Sequence, residues 1–278
     1  MERLIEFSRR YGADNSLVIA GGGNTSMKEN GVLYVKGSGT ALAEVQRESF
    51  VALDLEKLLR IPEKEYPASD KEREAAFLAD IMAARLPGEE NKRPSVETLL
   101  HAMFPQRYVL HLHPALVNGL TCSLEGEKAA ARLFPNAAWV DECRPGYTLA
   151  MQLYGKVRSG ADTVLLQNHG VFFAADAPEK LDEMLNVMLE TLGEAVKAGY
   201  DPEKDQGAEL TRPFTPDHIV YCGVGPALPH TANAALLWKD AEKIAHYAAS
   251  FGGARPMAAE MVEFILGWEA ESYRRKQA

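Results

Sequence analysis

Tyr108-Val109-Leu110-His111-Leu112-His113 reads as a strand closed by Pro114. Residues two apart on a strand share a face, so His111 and His113 present both imidazoles to one side. Neutral imidazole suits zinc or another borderline divalent metal. Taken alone, an HxH pair is equally well two polar residues at a strand end. His169 changes that balance. It leaves the apolar strand Thr163 to Gln167 and is followed by Gly170, so a second strand end can bring a third imidazole to the first two. Three histidines with an open fourth position make a catalytic zinc arrangement.

Working outward, Pro94-Ser95 opens a helix that continues through Thr98 to Met103, with Ser95 as N-cap. Glu97 falls in its first turn. Near a Lewis-acid metal it can act as general base. By spacing alone it is an acidic residue favoured by the helix dipole. His101, four residues later on the same face, reads as a supporting or packing histidine. Further upstream lie two glycine-rich turns, Gly21-Gly22-Gly23-Asn24-Thr25-Ser26 and Gly37-Ser38-Gly39. Glycine lets backbone N–H groups face a concavity, hydroxyls add donors, and Lys28 and Lys36 add charge, so an anion site is one reading. Two tight hairpin turns are the other. Neither turn is a Walker loop or a GxGxxG fingerprint.

The remaining pattern predicts an opening helix around Leu4, Ile5 and Phe7 and short strands at Leu17 to Ala20, Val32 to Val35 and Phe50 to Leu53. Ile61 to Asp70 is expected as a loop, and a helix is expected from Lys71 to Arg85. Downstream come a helix at Glu125 to Phe134, a strand at Ala137 to Val140, a helix at Thr148 to Val157 and a strand at Val171 to Ala174. A long helix from Pro178 to about Ala198 follows. Residues 200–229 are irregular, with one strand at His218 to Cys222, and helices at Ala232 to Ser250 and Met257 to Arg274 end the chain. Interspersed strands and helices without a repeat define an α/β class, and short strand spacings leave room for antiparallel pairing. Residues 1–199 form one domain, with 200–278 as an irregular connection and a helical extension packed on it.

The 278 residues are 46% hydrophobic, enough for a sizeable core, and carry a formal net charge of -9. That charge argues against nucleic acid or an anionic membrane as partner. Three cysteines without a CxxC pair give no disulfide framework. The first ten residues lack an apolar signal core, and no run approaches the ~18 residues of a membrane span. The expectation is a soluble, cytoplasmic protein.

Together, Gly23-Asn24-Thr25-Ser26, Val35-Lys36-Gly37-Ser38-Gly39, Pro94-Ser95-Val96-Glu97, His111-Leu112-His113 and Asn168-His169-Gly170 resemble, in order, the class II aldolase/adducin family. The segment Phe214-Thr215-Pro216-Asp217-His218-Ile219-Val220-Tyr221 and the stretch Trp268 to Lys276 look most like the aldolase half of rhamnulose-phosphate aldolase/short-chain dehydrogenase fusions. The resemblance implies a three-layer α/β/α domain with a mainly antiparallel sheet, in a homo-oligomer, usually a tetramer. It implies zinc on His111, His113 and His169, and a phosphate pocket lined by Asn24, Thr25, Ser38, Gly39 and Ser95. Glu97 would be the acid/base. The expected reaction is retro-aldol cleavage of a phosphorylated sugar, a ketose 1-phosphate, to dihydroxyacetone phosphate and an aldehyde. Two positions depart from the family. Val96 stands where some members carry a second serine, and Tyr147, offset by one position, is the nearest candidate for the tyrosine that donates a proton across a subunit boundary. A sugar-phosphate epimerase ranks second, because epimerases carry aspartate where this chain has Glu97. A dehydratase on the same fold is a further alternative. A non-catalytic adducin-like module ranks lower, since it has no need of the histidines and Glu97.

Overall fold

In the computed structural model, which describes residues 1–201, 212–223, 231–270 and 273, helix α1 (Glu2–Gly12) leads into strands β1 (Asn24–Glu29) and β2 (Val32–Lys36). Asn30 and Gly31 join the two strands with φ of 51° and 77°, the pair of positive values a type I′ hairpin needs and Asn-Gly supplies most easily. There follow β3 (Phe50–Asp54), α2 (Leu55–Leu59), α3 (Asp70–Ala83), α4 (Thr98–Met103), β4 (Tyr108–Leu112), α5 (Ala115–Thr121), α6 (Gly126–Leu133), β5 (Ala138–Val140), α7 (Tyr147–Arg158), β6 (Thr163–Leu166), β7 (Gly170–Ala175) and α8 (Pro178–Ala195). A π-helical turn at His218–Cys222 precedes α9 (Ala232–Ala248) and α10 (Ala259–Gly267).

Among the described residues the strands form one seven-stranded sheet in the order β3-β2-β1-β4-β7-β6-β5. Each neighbouring pair is antiparallel except β5 and β6. The class is α/β with a mostly antiparallel sheet, as the sequence suggested. Alternation along the central strands divides the core in two. Tyr108, Leu110, Leu112, Val171 and Phe173 pack on one face with Leu4, Phe7, Leu120, Leu181 and Leu185 from α1, α5 and α8. Val109, Phe172 and Ala174 pack on the other with Leu99 and Leu100 of α4, Phe104 just after it, and Leu149 and Leu153 of α7. His111 shares the face of Val109. Its register partners are Asn24 on β1 and Phe172 on β7, so it sits at the centre of the sheet.

Several local expectations change. No strand forms at Leu17 to Ala20, because Ala20 and Gly23 take φ of 54° and 59° and bend the chain twice. Extended pairing begins at Asn24, so half of the expected turn is strand. Asn24, Lys28 and Glu29 are weak strand formers, held extended by ladders with the neighbouring strands. The helix expected to be capped by Ser95 starts at Thr98, with Glu97 in the N-cap position. The segment His218–Cys222 is a helical turn and no strand. α5 was not anticipated: it is buried almost all round, so it shows no amphipathic stripe. α10 covers Ala259–Gly267; the expected end at Arg274 lies outside the described residues, as do 271, 272, 275–278 and most of the irregular connection. No helix among the described residues is long and apolar enough to cross a membrane.

Candidate metal centre and cleft

β4 delivers His111 and the residue just beyond it, His113, whose N–H donates to the Leu17 carbonyl at 3.1 Å. The tight β6–β7 hairpin delivers His169, with Asn168 at its corner in the left-handed region, φ 56°. The three imidazoles converge. One ring nitrogen from each lies within 4.8 Å of the others, and Nε2 of His111 and His113 are 2.9 Å apart. His111 stacks on Phe172 with centroids 4.1 Å apart, which fixes its plane.

The opposite ring nitrogens decide what the cluster can do. Nδ1–H of His111 donates to the Val171 carbonyl at 3.0 Å. Nδ1–H of His113 donates to Oδ2 of Asp217 at 2.6 Å. A carbonyl and a carboxylate only accept, so each Nε2 is left with its lone pair. Burial holds His111 well below the usual imidazole range, despite the neighbouring Glu97, which favours the neutral ligand form.

Glu97 is buried beneath the cluster. Oε2 accepts from the Asn24 amide at 2.6 Å. Oε1 has no hydrogen bond and lies 3.3 Å from His111 Nε2 and 3.5 Å from His169 Nε2. Burial alone would raise this carboxyl, but the groups around it, the Asn24 amide among them, hold it below the usual carboxylate range. Its side chain makes no cap bond to α4, so the helix-dipole explanation does not account for where it points. An orphaned, buried carboxylate oxygen facing lone-pair nitrogens leaves electron-rich atoms around one point. That donor set fits a divalent cation.

Behind Glu97 runs a relay. His101 donates from Nε2 to the Asn24 side-chain oxygen and accepts at Nδ1 from the Ser26 hydroxyl, 2.8 Å away. Burial pulls His101 down to about 3, so it remains neutral. Asn24 in turn donates to Glu97 and to Ser95 Oγ, the latter at 3.2 Å. The sequence hinted at a supporting histidine, but nothing local linked it to Asn24.

The cluster opens into a shallow cleft. Gly21, Gly22, Gly23, Asn24, Lys36, Gly37, Ser38, Gly39, Ser95 and Glu97 line it together with His113 and His169. The three donor segments thus meet at one place. Their roles differ from the expected ones. The N–H groups of Gly21, Gly22, Gly37 and Ser38 already donate to Tyr221 Oη, Ile19 O, Ser49 O and Arg93 O. The Ser38 hydroxyl and Gly39 N–H form no bond among the described residues, and the Lys36 ammonium, donating to the Gly21 and Thr40 carbonyls at 3.2 and 2.6 Å, adds charge.

One residue leaves the expected set. Thr25 faces the other side of β1 and is fully buried, its hydroxyl 2.7 Å from Ser8 Oγ of α1. Strand alternation puts it there. Tyr147 is the first residue of α7, and its ring docks against Tyr66 and Phe77; the role expected of it belongs to a cleft across a subunit boundary. Asp217 was missed altogether, because no spacing rule ties residue 217 to a strand a hundred residues earlier.

The family model described as "Class II Aldolase and Adducin N-terminal domain" matches residues 2–194, and the chain belongs to that family. Among curated proteins, the "Uncharacterized oxidoreductase YuxG" of Bacillus subtilis (strain 168) is 31% identical over 183 residues, 62% of this chain. The chain spans about a quarter of that relative's length, 26%. Among solved structures, the N-terminal class II aldolase domain of a Thermoplasma acidophilum protein aligns with a TM-score of 0.60 and 26% identity, over 69% of this chain and 91% of that one. YgbL from Klebsiella pneumoniae, described as a candidate aldolase, epimerase or decarboxylase, aligns at 0.50 with 19% identity over 69% and 88% and shares the fold.

Proposed function

We propose that this chain is a divalent-metal aldolase that cleaves a ketose 1-phosphate, of the rhamnulose or fuculose type, to dihydroxyacetone phosphate and an aldehyde. The observation that carries the reading is Glu97 Oε1, buried, without a hydrogen bond and aimed at the imidazole cluster. Zinc or another divalent transition metal, held by His111, His113 and His169, would supply Lewis-acid polarisation of the sugar's carbonyl and adjacent hydroxyl oxygens, so no Schiff-base lysine is required.

The chain's own groups account for the rest. In cleavage the bond between carbons 3 and 4 breaks: the C4 hydroxyl gives its proton to solvent as its oxygen becomes the aldehyde carbonyl, and C3 gains a proton. Glu97 moves the proton at C3, taking it off again in synthesis. Asn24 keeps Oε2 occupied and so leaves Oε1 for that transfer. Ser38, Gly39 and Ser95 bind the phosphate, and Lys36 offsets its charge. A fourfold homo-oligomer is part of the same proposal and is read by the mass of the native particle.

A panel of ketose 1-phosphates, assayed for dihydroxyacetone phosphate with and without chelator, tests the reading. Chelator-sensitive release from at least one sugar is expected. Epimerised sugar phosphate without release would replace the aldolase by an epimerase.

A further inference from the structure

Asp217 lies beyond the 2–194 span that the family model matches, yet it reaches the centre of the candidate site. It is 3% exposed. The turn that carries it is tied down at several points. Asn168 donates to the Phe214 carbonyl at 3.1 Å. The ring of His218 accepts at Nδ1 from the N–H groups of Phe214 and Thr215 at 3.3 and 3.2 Å. Met257 N–H donates to the Pro213 carbonyl at 2.9 Å. The glycine turn makes room for the carboxylate: a Cβ on Gly22 would lie 2.5 Å from Asp217 Oδ2 and 3.2 Å from His113 Nδ1. Gly22 therefore has a use apart from any anion, since a side chain there would displace the Asp217–His113 contact.

We infer that Asp217 is a positioning residue for the metal centre, fixing His113 with its proton on Nδ1 and its Nε2 lone pair aimed at the other two histidines. The inference rests on the reading of His111, His113 and His169 as metal ligands. The two strand histidines are held by different means. Val171 holds His111 through a backbone carbonyl, which no substitution removes. His113 depends on a side chain from the C-terminal segment. Without that carboxylate the imidazole can carry its proton on either nitrogen and can turn about its Cβ–Cγ bond. Both changes take the lone pair away from the cation. An outer-shell carboxylate also makes the ligating nitrogen more basic, and losing such a partner typically weakens metal affinity by about 10–100-fold.

A purely tethering role predicts something else. Asp217→Asn keeps the size of the side chain and an acceptor oxygen, so a tether would survive and metal affinity would stay put. The experiment compares zinc affinity of metal-stripped wild-type protein and Asp217→Asn by competition with a chromophoric chelator, alongside the melting temperature of each without metal. Weakening by about 10–100-fold at an unchanged melting temperature, with partial recovery in Asp217→Glu, is expected. Affinity within about twofold of wild type would overturn the inference. Should Asp217→Asn fail to fold, ¹⁵N-histidine NMR of the metal-free wild type decides: His113 protonated on Nδ1 supports the inference, and on Nε2 overturns it. Failure of the wild type itself to bind zinc would instead strike the metal-site reading.

Discussion

Glu97 has one oxygen committed to Asn24 and one committed to nothing, and the difference between those oxygens is where its chemistry lies. A carboxylate that merely serves a helix dipole contributes ~0.3–1 kcal/mol of stability and nothing to turnover, whereas a general acid/base contributes ~10²–10⁴-fold in rate. Glu97→Gln separates the two. It retains the hydrogen bond to Asn24 and the side chain's volume but cannot take up a proton at neutral pH. The variant is expected to fold and hold metal normally while cleavage falls at least ~100-fold, with substrate affinity changing much less. Steady-state kinetics on the metal-loaded variant check this, and retention of most of the rate would return Glu97 to a structural role. At this scale the sequence is legible only in part. The HxH pair and His169 announce themselves through strand alternation and a glycine-marked hairpin. The Asn24–His101 relay and Asp217 do not, because each is a contact between segments that no local period relates.

Strand β1 holds the relay in place, and it is also the element whose sequence misleads most. Asn24-Thr25-Ser26 has the composition of a turn, and the ladders with β2 and β4 override it. Alternation along β1 then sends Asn24 and Ser26 to the site and Thr25 to α1, which is why Thr25 leaves the phosphate set. The far end of β1 bears on stability. Lys28 is half-buried and donates to the Gln106 carbonyl at 3.0 Å, and burial pulls its ammonium from 10.5 down to about 7. Between these values the unfolded chain binds more protons than the folded one. Stability contributed here therefore rises with pH, by up to ~1.4 kcal/mol per unit. Denaturant titrations at pH 7.5 and 9 are expected to show wild type gaining on Lys28→Met as pH rises. Parallel behaviour of the two proteins would contradict the burial of that charge. α5 teaches the complementary lesson. A short helix with nearly every residue buried leaves no periodic trace, while α1 and α8 were visible through theirs.

Taken as a whole molecule, the chain places its chemistry where the family-matched part meets the C-terminal segment. We propose that 1–199 is the catalytic unit and that the described residues beyond it form an extension packed on it. Ala241 and Ile244 of α9 are buried with Ala115, Cys122 and Phe214, and Gly119 of α5 leaves room for Tyr247, whose Cβ would be only 2.4 Å from an added one. Burying a large apolar side chain such as Ile244 or Phe214 is worth ~1.5–3 kcal/mol. A chain ended at residue 199 is expected to unfold at lower temperature or to aggregate, and thermal unfolding equal to that of the full chain would show the extension to be dispensable. The metal and the reaction meet in one measurement: titrating metal-stripped protein with zinc while following dihydroxyacetone phosphate release from a ketose 1-phosphate. A rise that breaks at one ion per chain and is absent in His113→Ala is expected. Equal release with chelator present, or a rise undiminished in that variant, would contradict the proposed function.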